Sequence, residues 1–456
     1  MANANPHRSA TFRSLADASI SRRGLLGGAL GAAVGLTACG PGSAGRPGQQ
    51  VAPTGDGGAS GYDGPAVTLA YWNGLTGGDG PIMRKLTDQF TKANPNIKIV
   101  TTSIEWAEYF QKLPAAVSSG KGPDIGIMHA DDLATNAARN VIQPLDDVAE
   151  ALQLTEDDFA KIAWNGGIYD GKRYGIPLDI HPAGLYYNKT VLEKVGADPE
   201  KPPTNEDEFM TILEQCKSKG IQGFWVSALS ASGLLAQTLV YQFGGFMVAD
   251  DGSKVGFADE PAVKAISWLK SLIDNGYSPK NAAGDGDQVS LNSDKAAFMI
   301  NGPWMTTPLK ENKKLKWGCA PVPQIGPTQA TWAGSHQFVL PRQTRPDENK
   351  AKASRFFVNW ISQQSLGWAD AGMVPARNSV RELPEFQQKK EVLEFAKEID
   401  YIRFTPPIPG VGDVMTEWGT GVSEAMLGRA PVADALAKAA EKGNKILESN
   451  RKKYSR

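Results

Sequence analysis

Three observations predict an α/β protein with two mostly parallel sheets flanked by helices. Short apolar runs that read as strands alternate with helical patterns over the first third of the body, the alternation restarts after Asn188-Lys189, and no fixed-period repeat points to a solenoid or propeller. The chain has 456 residues, 41% of them hydrophobic and 21% charged, so it can build more than one apolar core without staples. Three cysteines are too few for a disulfide framework, and no C-x-x-C or H-x-x-x-H pair offers a structural zinc site.

The first 38 residues read as an export signal. Ser21-Arg22-Arg23-Gly24-Leu25-Leu26 opens a short Gly/Ala-rich apolar run that ends at Leu36-Thr37-Ala38-Cys39. A retained membrane helix needs roughly 17 or more strongly apolar residues, and this run supplies glycine and alanine instead. The paired arginines resemble a twin-arginine signal and the final four residues resemble a bacterial lipoprotein box, which implies a lipidated Cys39 at the mature N-terminus. From Cys39 to Gly64 the chain is mostly Gly, Pro, Ala, Ser and Gln and reads as a flexible tether above a membrane. Loss of residues 1–38 removes four arginines and one aspartate, taking the net charge from −1 to −4. A mildly acidic body has no basic face for nucleic acid, so no nucleic-acid partner is expected.

The body starts near Pro65. Val67 to Tyr71 is a strand that ends in Trp72-Asn73 and a loop through Asp79, and Pro81 opens a helix with Ile82, Leu86 and Phe90 on one face. Ile97 and Ile99 mark a second strand, Trp106 to Val117 a helix, and Asp124 to Met128 a buried strand that runs into His129-Ala130-Asp131-Asp132 and another helix. Ile168 to Ile176 is a hairpin about Asp170-Gly171. Thr204 to Asp207 caps a helix, Gly223 to Val226 reads as a strand, Asp259 to Ile273 as a helix, Ala296 to Ile300 as a strand, and Val432 to Leu447 as an amphipathic helix.

Catalytic signatures are weak. Gly166 to Arg173 has the spacing of a phosphate loop but ends in arginine and lies on a hairpin, so it reads as a chance match. The mature histidines His129, His181 and His336 are far apart in sequence, and their spacing gives no support for a metal; neither metal nor cofactor is expected. What recurs is tryptophan beside small polar residues at strand exits: Trp72-Asn73, His129 to Asp132, Trp225-Val226-Ser227 and Gly302-Pro303-Trp304. Ligands of open α/β sheets bind at such carboxyl ends. Indole faces stack on the C–H faces of sugars, while Asn, Asp and His pair with hydroxyls, so the pattern suits a polyol. Trp268 and Trp360, on helical apolar faces, read as core.

The order of Gly122-Pro123-Asp124-Ile125, Gly175-Ile176-Pro177-Leu178-Asp179, Leu185-Tyr186-Tyr187-Asn188-Lys189 and Ala296 to Trp304 resembles the family 1 solute-binding proteins of ABC sugar importers, relatives of maltose-binding protein. The resemblance runs from about residue 66 to 448. It implies a two-lobed periplasmic-binding-protein-like fold with a ligand cleft between lobes, the lobes being 65–182 with 324–373 and 183–323 with 374–450. Chain crossings fall near Asp179–Leu185, Pro321–Pro323 and Met373–Arg377. It places Asp131 at a sugar-binding aspartate, Trp304 at a stacking tryptophan, His181 where the maltose type has glutamate, and Met128 where it has another tryptophan. Gly334-Ser335-His336 resembles the small-residue loop entering the cleft. The expected ligand-binding set is therefore Trp72, Asn73, Asp79, Trp106, His129, Asp131, Asp179, His181, Trp225, Trp304, Trp332, Ser335, His336 and Arg377.

The implied function is a monomeric, lipid-anchored receptor that hands a mono- or oligosaccharide to a membrane permease with a separate ATPase subunit. An exported glycoside hydrolase would need two carboxyls set across the scissile bond, for which Glu105, Asp131, Asp132 and Asp179 are the candidates. A polyol phosphate would ask for a cation at the crevice, and Arg377 is the one near a crossing. Cys216 and Cys319 read either as buried thiols or as a disulfide.

Overall fold

The computed structural model describes residues 61–454. The export signal, Cys39 and the tether up to residue 60 lie outside the described residues. Residues 61–64, read from sequence as the end of the tether, are seated on the fold, because the Asn96 amide donates to the carbonyls of Tyr62 and Gly64, each at 3.3 Å.

Val67–Asn73 (β1), Ile97–Ser103 (β2) and Ile125–His129 (β3) form the parallel part of the first sheet. β1 lies between the other two, with Val67 opposite Ile97 and Asn73 opposite Ser103, so all three strands finish on the same edge. Helices Gly80–Ala93 (α1) and Trp106–Ser118 (α2) supply the two crossovers, and Ala130–Ala138 (α3) follows directly on β3. Leu69 and Tyr71 alternate onto the buried face of β1, where they meet Leu86 and Phe90 of α1 and Phe357 of the helix Glu348–Gln363. The Phe90 and Phe357 rings meet edge to face at 5.0 Å, and burial of each such side chain contributes about 1.5–3 kcal/mol. His336–Val339 enters this sheet antiparallel to β3, which sets His336 opposite His129. The predicted hairpin forms, with Ile168 opposite Arg173 and positive φ at both Asp170 and Gly171.

In the second lobe Gly184–Asn188 is the central strand, flanked by Phe298–Asn301 and Trp317–Ala320. Both pairings are antiparallel, which corrects the mostly parallel sheet expected there. Gly223–Val226 forms no strand and contributes one parallel bridge, from Phe224 to Phe298. An apolar run reports burial on both faces but carries no direction, which the connections impose. A four-stranded sheet joins Val374–Pro375, Asp179–Pro182, Thr331–Gly334 and Ile402–Arg403, so the crossings expected near 179–185 and 373–377 run side by side, Val374 opposite Ile180.

The two-lobed α/β architecture is mirrored in the packing. One core gathers residues from 69–178 and 338–373, another from 183–330 and 411–447, and a third cluster draws on both. The last helix runs over Val432–Tyr454, longer than expected. Cys216 and Cys319 are free, buried thiols in different clusters, and burial pushes them up to about 11 and about 12.

Glu398 is fully buried, and its Oε1 accepts the Val322 amide at 3.0 Å, beside the expected crossing at Pro321–Pro323. Burial holds its carboxyl well above the ordinary 4.5, so the folded chain keeps a proton that the unfolded chain releases as pH rises. The unfolded state then binds fewer protons, and this group's contribution to stability declines above pH 4.5. Glu398→Gln keeps the acceptor and abolishes the titration. The Tm of the Gln variant relative to the parent should therefore climb from pH 4.5 toward neutrality, and a pH-independent difference would refute the protonated state.

Candidate functional site

The strand edge where β1 and β3 finish opens onto a cavity of about 410 Å³. Its walls carry three indoles, Trp106, Trp304 and Trp332, together with His129, His181, His336, Asp79 and Asp131. Each side chain is placed by a distinct local device. Trp106 starts α2, whose N-terminus is capped by Glu105 accepting from the Ala107 amide, and its ring lies 4.1 Å from that of His129. Trp304 follows Gly302-Pro303 and folds back over Gly302, where a Cβ would sit 2.1 Å from the indole. Asp131 occupies the first turn of α3, where the helix dipole favours a carboxylate.

The segment Thr331–Val339 assembles the histidines. Gly334 pairs with His181 and, two residues on, His336 pairs with His129. Beneath them the buried Asp179 carboxylate accepts from His181 Nδ1 at 3.1 Å, His336 Nδ1 at 2.7 Å, the His336 amide at 3.0 Å and Trp368 Nε1 at 2.6 Å. Burial alone would raise Asp179, but His336 and the hydrogen bonds from both imidazoles override it and hold the carboxyl well below the usual range. Burial pulls His336 down, and Asp179 more than offsets that, so His336 lies above its ordinary value. Burial and neighbouring imidazoles push His181 down and His129 well down. Burial raises Asp79, Asp131 and, with Asp131 beside it, Asp132 further.

Of the residues expected from sequence, Asp79, Trp106, His129, Asp131, His181, Trp304, Trp332 and His336 come together around this cavity. Trp225 lines an adjoining cavity of about 610 Å³ with Ser227, Ser230, Asp287 and Asn301, and Trp304 is common to both. The remaining five line neither cavity. Trp72 packs against the cluster that holds Tyr109, Leu113 and Met128, and Asn73 is buried, accepting from Leu75 N and Ser103 Oγ. Asp179 sits under the histidines, and Ser335 Oγ is bonded to Gln337. Arg377 pairs with Asp158 at 3.1 Å and covers the Phe159 ring. Sequence reasoning missed Thr76, Phe404 and Thr405. The last two follow the two-residue strand Ile402–Arg403 and precede Pro406-Pro407, a proline-bounded run that could have marked a loop at a strand exit.

A cavity with aromatic faces on several walls and acceptors and donors between them can hold a ring with apolar faces and a polar rim. The chain is 27% identical to the maltodextrin-binding protein of Bacillus subtilis over 385 residues, covering 82% of this chain and 88% of that one. It is 25% identical to a maltooligosaccharide ABC transporter solute-binding lipoprotein of Streptococcus pneumoniae, over 55% of this chain and 59% of the relative. The fold superposes on the GacH receptor of Streptomyces glaucescens, solved unliganded and with acarbose, with a TM-score of 0.75, 22% identity and coverage of 84% of this chain and 99% of the other. Residues 85–394 match the bacterial extracellular solute-binding proteins, and the chain belongs to that family.

Proposed function

We propose that the chain is the extracytoplasmic receptor of a carbohydrate importer, capturing a mono- or oligosaccharide between its lobes and presenting it to an ABC permease. The observation that carries this reading is the grouping of Trp106, Trp304 and Trp332 with His181 and Asp131 around one cavity. Relatives named for maltodextrin and maltooligosaccharide support the substrate class. In this reading the lobes are 65–182 with 324–373 and 183–323 with 374–450, and the strands at Asp179–Pro182 and Val374–Pro375 act as hinge segments about which the lobes close. The receptor is a monomer held at the membrane by lipidated Cys39 after twin-arginine export.

The other readings meet specific obstacles. Neither cavity has a lysine or arginine among its described lining residues, and Arg377 is paired with Asp158 outside both, which disfavours a phosphate ligand. For a hydrolase, both Asp179 oxygens are occupied by hydrogen bonds, and Glu105 caps an exposed helix end.

A thermal-shift screen of the purified protein against sugars identifies the ligand by the rise in Tm that binding to the folded state produces. Against that sugar, Trp304→Ala should lose about 1–3 kcal/mol of stacking and Asp131→Ala about 1.5–3 kcal/mol of charge-assisted hydrogen bonding. Calorimetry should then read affinities weakened at least roughly fivefold by Trp304→Ala and at least roughly tenfold by Asp131→Ala, with a small drop in Tm for the half-buried Trp304. Unchanged affinity in both variants would remove the cavity from the binding site.

The anchor is tested separately. Cys39→Ala should move the protein from the membrane fraction to the soluble fraction after export, and undiminished membrane retention would rule out lipidation at that cysteine.

A further inference from the structure

We propose that His129, His181 and His336 form a three-histidine site for a divalent transition metal of the zinc type on the floor of the cleft, with Asp179 as the carboxylate that orients two of the ligands. Each histidine offers one ring nitrogen, and the three nitrogens lie within 4.8 Å of one another. Ring centroids are 4.5 Å apart for His181 and His336, 5.3 Å for His129 and His336, and 5.9 Å for His129 and His181. A tetrahedral ion bound at about 2.0–2.1 Å by nitrogen needs its ligands about 3.4 Å apart, a gap that small side-chain rotations close.

The hydrogen bonds already select the ligating atoms. A carboxylate only accepts, so the Nδ1 atoms of His181 and His336 are the donors to the two oxygens of Asp179, which leaves both Nε2 atoms facing away from it. Asp179 is itself fixed by Trp368 Nε1 and the His336 amide. A buried carboxylate behind ligating imidazoles, held in turn by further donors, is the arrangement that sets tautomer and ring orientation at histidine metal centres. Space over the site is provided by Gly334, where a Cβ would lie 2.3 Å from His181 Nε2. All three histidines line the cavity, so a fourth coordination position opens onto it for water or a ligand oxygen.

The metal site shares the cavity assigned to sugar but does not depend on that assignment. The full chain, stripped with EDTA and desalted, is titrated with zinc chloride by calorimetry and with cobalt(II) by visible absorption. One saturable equivalent of zinc and the intense bands of tetrahedral cobalt are expected. His129→Gln and His336→Gln should each weaken zinc binding at least tenfold, and Asp179→Asn roughly 10–100-fold through ligand orientation. Gly334→Ala, which keeps all three histidines, should weaken it by pushing the His181 ring out of its ligating position. Because the cobalt spectrum is read on the unaltered protein, the inference stays decidable if a variant fails to fold. A weak octahedral spectrum with no saturable zinc uptake, or uptake unchanged in the His129 and His336 variants, overturns it. Sugar affinity measured in EDTA keeps the two readings apart: sugar binding without zinc binding removes the metal site alone, and zinc binding without sugar binding removes the carbohydrate reading alone.

Discussion

Asp179 is the constraint on which the candidate site rests, since its two oxygens take hydrogen bonds from His181, His336 and Trp368 in a place closed to bulk solvent. A buried charge of this kind persists only when its partners are in place, and removal of one partner typically costs about 3–5 kcal/mol. The partners come from three stretches of chain: the strand Asp179–Pro182, the strand His336–Val339 and the helical turn at Trp368. One carboxylate thereby fixes the floor of the cleft and the orientation of two imidazoles in the same set of bonds.

Strand direction explains how the histidines reach that carboxylate. β1 to β3 are parallel and deliver their carboxyl ends, with His129, to one edge. A strand entering antiparallel delivers its amino end there instead, which is why His336, the first residue of its strand, lies opposite His129, the last of β3. Gly334, two residues earlier, is paired with His181, so a single extended segment binds the site to the sheet carrying the crossings.

The tryptophans divide by burial. Trp368 and Trp418 are fully buried and anchor cores, whereas Trp106, Trp304 and Trp332 each keep part of a ring in the cavity while packing against a core. Such half-buried rings are held by the fold and need little further ordering to receive a ligand, so less of the stacking energy is lost to side-chain entropy.

Much of this was legible locally. The period of the apolar residues located β1, α1 and β3, Pro81 and the Thr204 to Asp207 segment marked helix starts, and Asp170-Gly171 marked a hairpin, because propensity and capping act within a few residues. Strand exits pointed to Trp304 and to His129 through Asp131, since a ligand site at carboxyl ends follows from parallel topology. The direction of the second sheet, the burial of Asn73 and the pairing of Arg377 with Asp158 were decided only in three dimensions. The meeting of His129, His181 and His336 is the sharpest case. Their separation along the chain carries no sign of a cluster, and they converge because two register-fixed pairings and one buried carboxylate, all long-range, leave each imidazole a single place to go.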